Sequence, residues 1–140
     1  MKPISLLGAA TALAMAATPA FAVNWVYVSS DSTGTIYYYD ADTIQRSGNQ
    51  VTAWEKGDHS RDKTVKQREK KVRYRYDCAE KTSTLLQLTK YYPDGKIEMV
   101  TWKTYEQEPQ AIVPGTIGEL QFEAVCTATA CSPSAPMAQI

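Results

Sequence analysis

Residues 71–78 read KVRYRYDC, and they alternate strictly. Val72, Tyr74, Tyr76 and Cys78 fall on one side of an extended chain, and Lys71, Arg73, Arg75 and Asp77 on the other. Such a segment is a strand with one buried and one wet face, and it commits the chain to a sheet. The neighbouring segments agree. Trp25 to Ser29 and Thr35 to Tyr39 are aromatic and β-branched, and the turn Asp31-Ser-Thr-Gly34 joins them into a hairpin. Gln50 to Lys56 is a third strand, and Thr84 to Tyr92 and Lys96 to Thr104 form a hairpin around Pro93-Asp94-Gly95. Both arms of that hairpin carry apolar residues at odd and even positions, the pattern of strands covered on both sides. Asp40 to Arg46 reads as one capped helical turn closed by Ser47-Gly48. Residues 57–71 hold only Val65 as a large aliphatic and read as a loop or projecting arm.

One element differs in kind. After Pro114-Gly115, Thr116 and Glu119 form a capping box, and Ile117, Leu120 and Ala124 recur at helical spacing, widened by Phe122 and Val125. The expected architecture is therefore α+β: a single antiparallel sheet of about six strands, with this C-terminal amphipathic helix packed on one face. A length of 140 residues with 44% apolar content suffices for one such domain and its core.

The first 22 residues stand apart. Lys2, the uncharged run from Ile4 to Ala17, Pro19 and the small-x-small triplet Ala20-Phe21-Ala22 predict an export signal cleaved after Ala22. No cysteine stands there to carry a lipid, and the apolar run is short for a span. The organisation is then a leader over 1–22, a domain over 23–126 and a flexible, uncharged tail over 127–140. Export makes the three cysteines legible. Cys78–Cys126 would close a long loop between two ordered elements and is favoured; Cys126–Cys131 would staple only the tail. The cysteine left over, Cys131 in the first case, permits a disulfide-linked dimer.

Chemistry-bearing residues are sparse. Asp40 and Asp42 have the spacing of paired metal ligands but lack the run of oxygen donors that a calcium loop needs, so they read as turn caps. His59, the single histidine, sits in the least periodic segment and reads as a solvated loop residue. Ser60 beside it lacks a nucleophile elbow, and the tail gives Cys131 no electropositive setting. No nucleophile, base and orienter can be named together, so an enzyme is not expected, nor a cofactor or metal. The charges balance, 15 basic against 15 acidic, which excludes a generic nucleic-acid binder. They are nonetheless segregated: residues 61–75 hold eight Lys/Arg against Asp62 and Glu69, and none follows Lys103. Within that run Lys66, Arg68, Lys70, Lys71, Arg73 and Arg75 are the candidate partner-binding surface, suited to an anionic glycan or acidic protein. The competing reading is a charged face that keeps a sheet edge from aggregating. Tyr37 to Tyr39, Tyr91, Tyr92, Trp54 and Trp102 exceed what one core face can use; they predict either an exposed aromatic surface or a second small core under loops.

These pieces, in this order, resemble the surface-adhesin protein E family of exported bacterial domains. The matching segments are Trp25 to Val28, Tyr37 to Ile44 with Gly48, Val51 to Trp54, Tyr76-Asp77-Cys78, Tyr92 to Gly95, and Pro114-Gly115-Thr116 leading to Cys126. The resemblance implies an antiparallel sheet with a C-terminal helix fastened by Cys78–Cys126. It also implies adhesion, through host matrix and serum proteins. Without a lipid-bearing cysteine, the exported domain could act in the periplasm as readily as at the surface. The alternative function is a periplasmic inhibitor or envelope-stress protein of the lysozyme-inhibitor kind.

Overall fold

The computed structural model describes residues 23–128; the expected leader and the tail with Cys131 lie outside them. Eight strands form one antiparallel sheet: β1 Trp25–Ser30, β2 Ile36–Asp40, β3 Gln45–Ser47, β4 Gln50–Asp58, β5 Glu69–Asp77, β6 Thr82–Tyr91, β7 Ile97–Thr101 and β8 Gln110–Ala111. Six of them run side by side in the order β1-β2-β4-β5-β6-β7. The short β3 pairs with the start of β4, and β8 with the start of β6. One helix, α1, spans Ile117–Thr127.

Local chemistry sets the turns. Asp31 Oδ1 accepts from the amides of Thr33 at 3.0 Å and Thr35 at 3.1 Å, and Gly34 closes the β1–β2 turn at a φ of 95°. Asp94 Oδ1 does the same for the Lys96 amide at 2.9 Å in the β6–β7 turn. The segment after β2 departs from a full helical turn. Asp40 Oδ1 accepts from the amides of Asp42 at 3.1 Å and Asn24 at 3.0 Å and caps only a 3-10 turn over Ala41–Thr43. Ile44 then drops into the core, and the chain re-enters the sheet as β3. A single buried apolar residue gives this stretch nothing to continue a helix against.

The core lies between one sheet face and α1. Ile44, Val51, Ala53, Tyr76, Phe122 and Val125 are buried together, ringed by Tyr39, Tyr74, Ile112 and the two bridged cysteines. Thr116 Oγ1 accepts from the Glu119 amide at 3.3 Å, and Glu119 Oε2 from the Gly115 amide at 2.7 Å, so the expected start of the helix is in place. Its buried stripe is narrower than expected. Phe122 and Val125 carry it, while Leu120 faces outward at 44% exposure. Cys126 bonds to Cys78 with their Cα atoms 5.8 Å apart. Arg46 adds a second tie, donating to the carbonyls of Cys126 at 2.9 Å and Ala128 at 3.3 Å.

Two expectations about edges change. The charged strand β5 is interior, paired with β4 and β6 along its length. It therefore protects no edge. The strand order ends on β1 and β7, and on β7 Ile97, Met99 and Val100 are 59%, 63% and 49% exposed, so its two-sided apolar pattern does not mark a strand covered on both sides.

The disulfide separates residues 48 apart, so C78A/C126A should lose about 4 kcal/mol in urea denaturation through the gain in unfolded-chain entropy. Equal midpoints for the two proteins would contradict that role.

Candidate functional site

Alternation along β5 divides the basic run instead of gathering it. Lys71, Arg73 and Arg75 point away from α1. Lys70 shares the helix side with Val72, Tyr74 and Tyr76. Lys66 and Arg68 are exposed on the 59–68 connection and border a separate cleft with His59, Val65 and Pro93. Three of the six candidate residues thus share a surface, and three do not.

That surface is the sheet face opposite α1, and among the described residues no α-helix crosses it. Cross-strand register lines up Tyr27, Tyr38, Lys56, Lys71, Thr89 and Met99 across it. Trp25 and Trp54 stand in the next row, half-buried. Of the surplus aromatics, Tyr38, Trp54 and Tyr91 therefore line this open face, whereas Tyr39 packs against the helix-side core and Tyr37 donates to Asp31 at 2.8 Å. Lys56 Nζ lies 4.5 Å from the Tyr38 ring centroid and 5.0 Å from that of Trp25; Lys71 Nζ lies 5.0 Å from Tyr91. Lys71 also pairs with Glu69 at 3.4 Å, and Arg75 Nη2 donates to Gln107 Oε1 at 3.0 Å. Among the described residues, Lys56, Arg73 and Arg75 have no carboxylate at ion-pairing distance. Two hollows mark the face. One, about 300 Å³, lies between Trp25, Trp54, Lys71, Tyr91 and Met99; the other, about 330 Å³, lies between Arg73, Arg75, Thr101, Trp102 and Gln107.

The helix side ends in a polar cluster that the sequence reading did not find. Glu55 continues the inward series Val51, Ala53 and is 2% exposed, accepting from the Tyr76 hydroxyl. Burial pushes its carboxyl up to about 8, against the Tyr76 bond and the Lys70 charge that pull it down. Burial likewise lowers Lys70, partly offset by Glu55. His59 is not solvated but 7% exposed. Thr35 Oγ1 donates its one hydrogen to Asp62 Oδ2 at 2.8 Å and so accepts from His59 Nδ1 at 2.9 Å. This assigns the imidazole proton to Nδ1 and leaves Nε2 buried without a partner among the described residues. Burial, then the Lys70 charge, hold His59 below its ordinary value, so it is neutral at pH 7. Asp62 also accepts from Thr33 at 2.9 Å and from the Thr64 amide and hydroxyl at 2.8 and 2.6 Å. These bonds, Thr64's foremost, hold its carboxyl far below the usual range. The trio resembles a catalytic set only in composition. Thr35 is wholly buried, so its hydroxyl meets no substrate; the cluster fixes the 59–68 connection. Among the described residues no group of three His, Cys, Asp or Glu could hold a metal ion.

Comparison with known proteins agrees with this architecture. The family model described as surface-adhesin protein E matches residues 25–127. The chain belongs to the surface-adhesin protein E family. Among solved structures, crystal form II of Haemophilus influenzae protein E is 16% identical with a TM-score of 0.53, over 81% of this chain and 96% of that one. A second structure of H. influenzae protein E is 14% identical with a TM-score of 0.50, over 78% and 89%. At these identities the structures show a common fold. No curated protein sequence matched the chain. Membership implies an exported or cell-surface adhesin-like protein and suggests binding in place of catalysis. Among the described residues no helix is long and apolar enough to cross a membrane.

Glu55 gives stability a distinct pH dependence. The folded state keeps its proton up to about pH 8, whereas the unfolded chain releases it near the ordinary 4.5. Between those values the unfolded chain binds fewer protons, so stability falls as pH rises, by at most about 1.4 kcal/mol per unit. In urea titrations from pH 5 to 8, E55Q should gain steadily on the unsubstituted protein. Parallel profiles would show that Glu55 is not protonated in the folded state.

Proposed function

We propose that this chain is a non-enzymatic, exported adhesin-like domain that captures an anionic macromolecular partner on the sheet face opposite the helix. The observation that carries the reading is the placement of Lys71, Arg73 and Arg75 in one line on an interior strand, beside Lys56, on a face that no helix among the described residues covers. A strand interior to the sheet needs no charges to guard an edge. Among the described residues Arg73 has no partner carboxylate, and Lys71 and Arg75 hold the partly exposed pair with Glu69 and the bond to Gln107, which an anionic partner would compete for. The positions of these cations are rigid because both neighbouring strands hold the backbone. Lys66 and Arg68 extend the positive field outward at the loop end of β5 and act mainly on encounter. Lys70 serves the interior beside Glu55 and makes no partner contact.

Such a surface acts by charge complementarity and shape, with rate and affinity falling as salt rises. K71Q/R73Q/R75Q should retain its unfolding midpoint and lose at least ten-fold in retention on matrix-protein-coated surfaces, while K70Q binds like the unsubstituted protein. Undiminished retention by the folded triple variant would remove this face from the proposal. Protection of peptidoglycan from lysozyme, with no matrix retention, would replace adhesion with the periplasmic-inhibitor reading.

A further inference from the structure

We infer that the partner recognised on the open face is a linear acidic polysaccharide of the sulfated, uronate-containing kind; the inference rests on the open-face reading above and names its ligand class. The first reason is the layout of charge. Lys71, Arg73 and Arg75 occupy alternate positions of one strand, so they repeat about every 7 Å along a straight line. A single phosphate or carboxylate needs a convergent nest. A row of separated cations fits a polymer that carries its anionic groups at intervals along its length. Arg73 and Arg75 offer planar forks that meet carboxylate and sulfate oxygens in pairs.

The second reason is what lies between the cations. The two hollows adjoin at Gln87, which lines both, so together they form a trough along the strand row. All three tryptophans of the chain wall it: Trp25 and Trp54 beside Lys71, and Trp102 beside the arginines. A sugar ring has an apolar C–H face that stacks on an aromatic side chain while its substituents project sideways to charged groups. Each hollow, at about 300 and 330 Å³, has the volume of a small-ligand site.

The third reason separates a glycan from an acidic peptide. Gln87 and Thr101 both donate and accept hydrogen bonds, while Gln107 is already engaged, accepting from Arg75 at 3.0 Å and donating to the Trp102 carbonyl at 3.0 Å. Acidic side chains reaching the row only accept, so a peptide would have to turn its backbone N–H groups onto these positions, whereas the hydroxyls on every ring of a glycan both donate and accept. Single-stranded nucleic acid would also combine stacking with charge, and an oligodeoxythymidylate is therefore included among the probes.

The tryptophans supply the readout. A heparin-derived tetrasaccharide should change the intrinsic fluorescence of the exported chain saturably, and the change should weaken with salt. R73Q/R75Q should reduce the affinity at least ten-fold, W102A several-fold, and the desulfated tetrasaccharide should bind at least ten-fold more weakly than its parent. If W102A fails to unfold cooperatively, Thr101→Val tests the same wall and should cost a few-fold. Poly-glutamate binding as tightly as the tetrasaccharide, indifferent to W102A, would overturn the glycan assignment and leave the basic-face reading standing as an acidic-protein site. Tighter binding of an oligodeoxythymidylate would overturn it in favour of nucleic acid. No binding of any probe, with matrix retention intact in the triple variant, would end both readings. No binding of any probe, with retention lost in that variant, would end the glycan assignment alone.

Discussion

Everything in this domain depends on the ladder that holds β5 between β4 and β6. Nine cross-strand pairs, from Gln50–Asp77 to Asp58–Glu69, fix its register on one side. A period of two then dictates the rest. With Tyr76 and Val72 turned toward the helix side, Lys71, Arg73 and Arg75 have nowhere to point except the opposite face. The other flank accommodates one extra residue: Arg73 faces Gln87 but Tyr74 faces Leu85, so Leu86 bulges. The irregularity falls entirely on β6, and the cations of β5 stay in line.

How much of this was legible follows from the range of each signal. Local periods located the main strands, the two hairpins and the capped helix, because alternation and turn chemistry are written within a few residues. Cys78–Cys126 was favoured for the same reason, since both cysteines end recognisable elements. Strand order is a long-range property, and the sequence reading could not tell that β5 is interior or that β7 is an edge. The apolar residues of β7 match those of a strand covered on both sides, and only the sheet's limit exposes them. The basic run looked like one patch because linear sequence places Lys70 beside Lys71, whereas a strand sends them to opposite faces.

The polar cluster was missed for a different reason. Alternation within Gln50 to Lys56 already puts Glu55 in the inward series with Val51 and Ala53, but only the two further residues of β4 add Gly57 and show that the series runs on. His59 follows two positions later, on the same side. Its ring packs where Gly57 lacks a side chain: a Cβ there would meet Nε2 at 3.1 Å. Glycine at 57 is thus what lets the histidine fold inward. A neutral carboxyl, a depressed lysine and a bare imidazole nitrogen close together give the helix-side interior a polar end, bordered by Gln121 of α1.

The disulfide has a mechanical meaning for a protein of an adhesin family. Cys126 lies at the last turn of α1, and Cys78 follows β5 directly. Tension applied from the C-terminal side enters the covalent bridge before it can peel the helix away, and emerges at the end of the central strand. There it is shared by the hydrogen bonds to β4 and β6. The strand that carries the cations is the one that would bear the load, so the open face would keep its spacing while the chain is pulled.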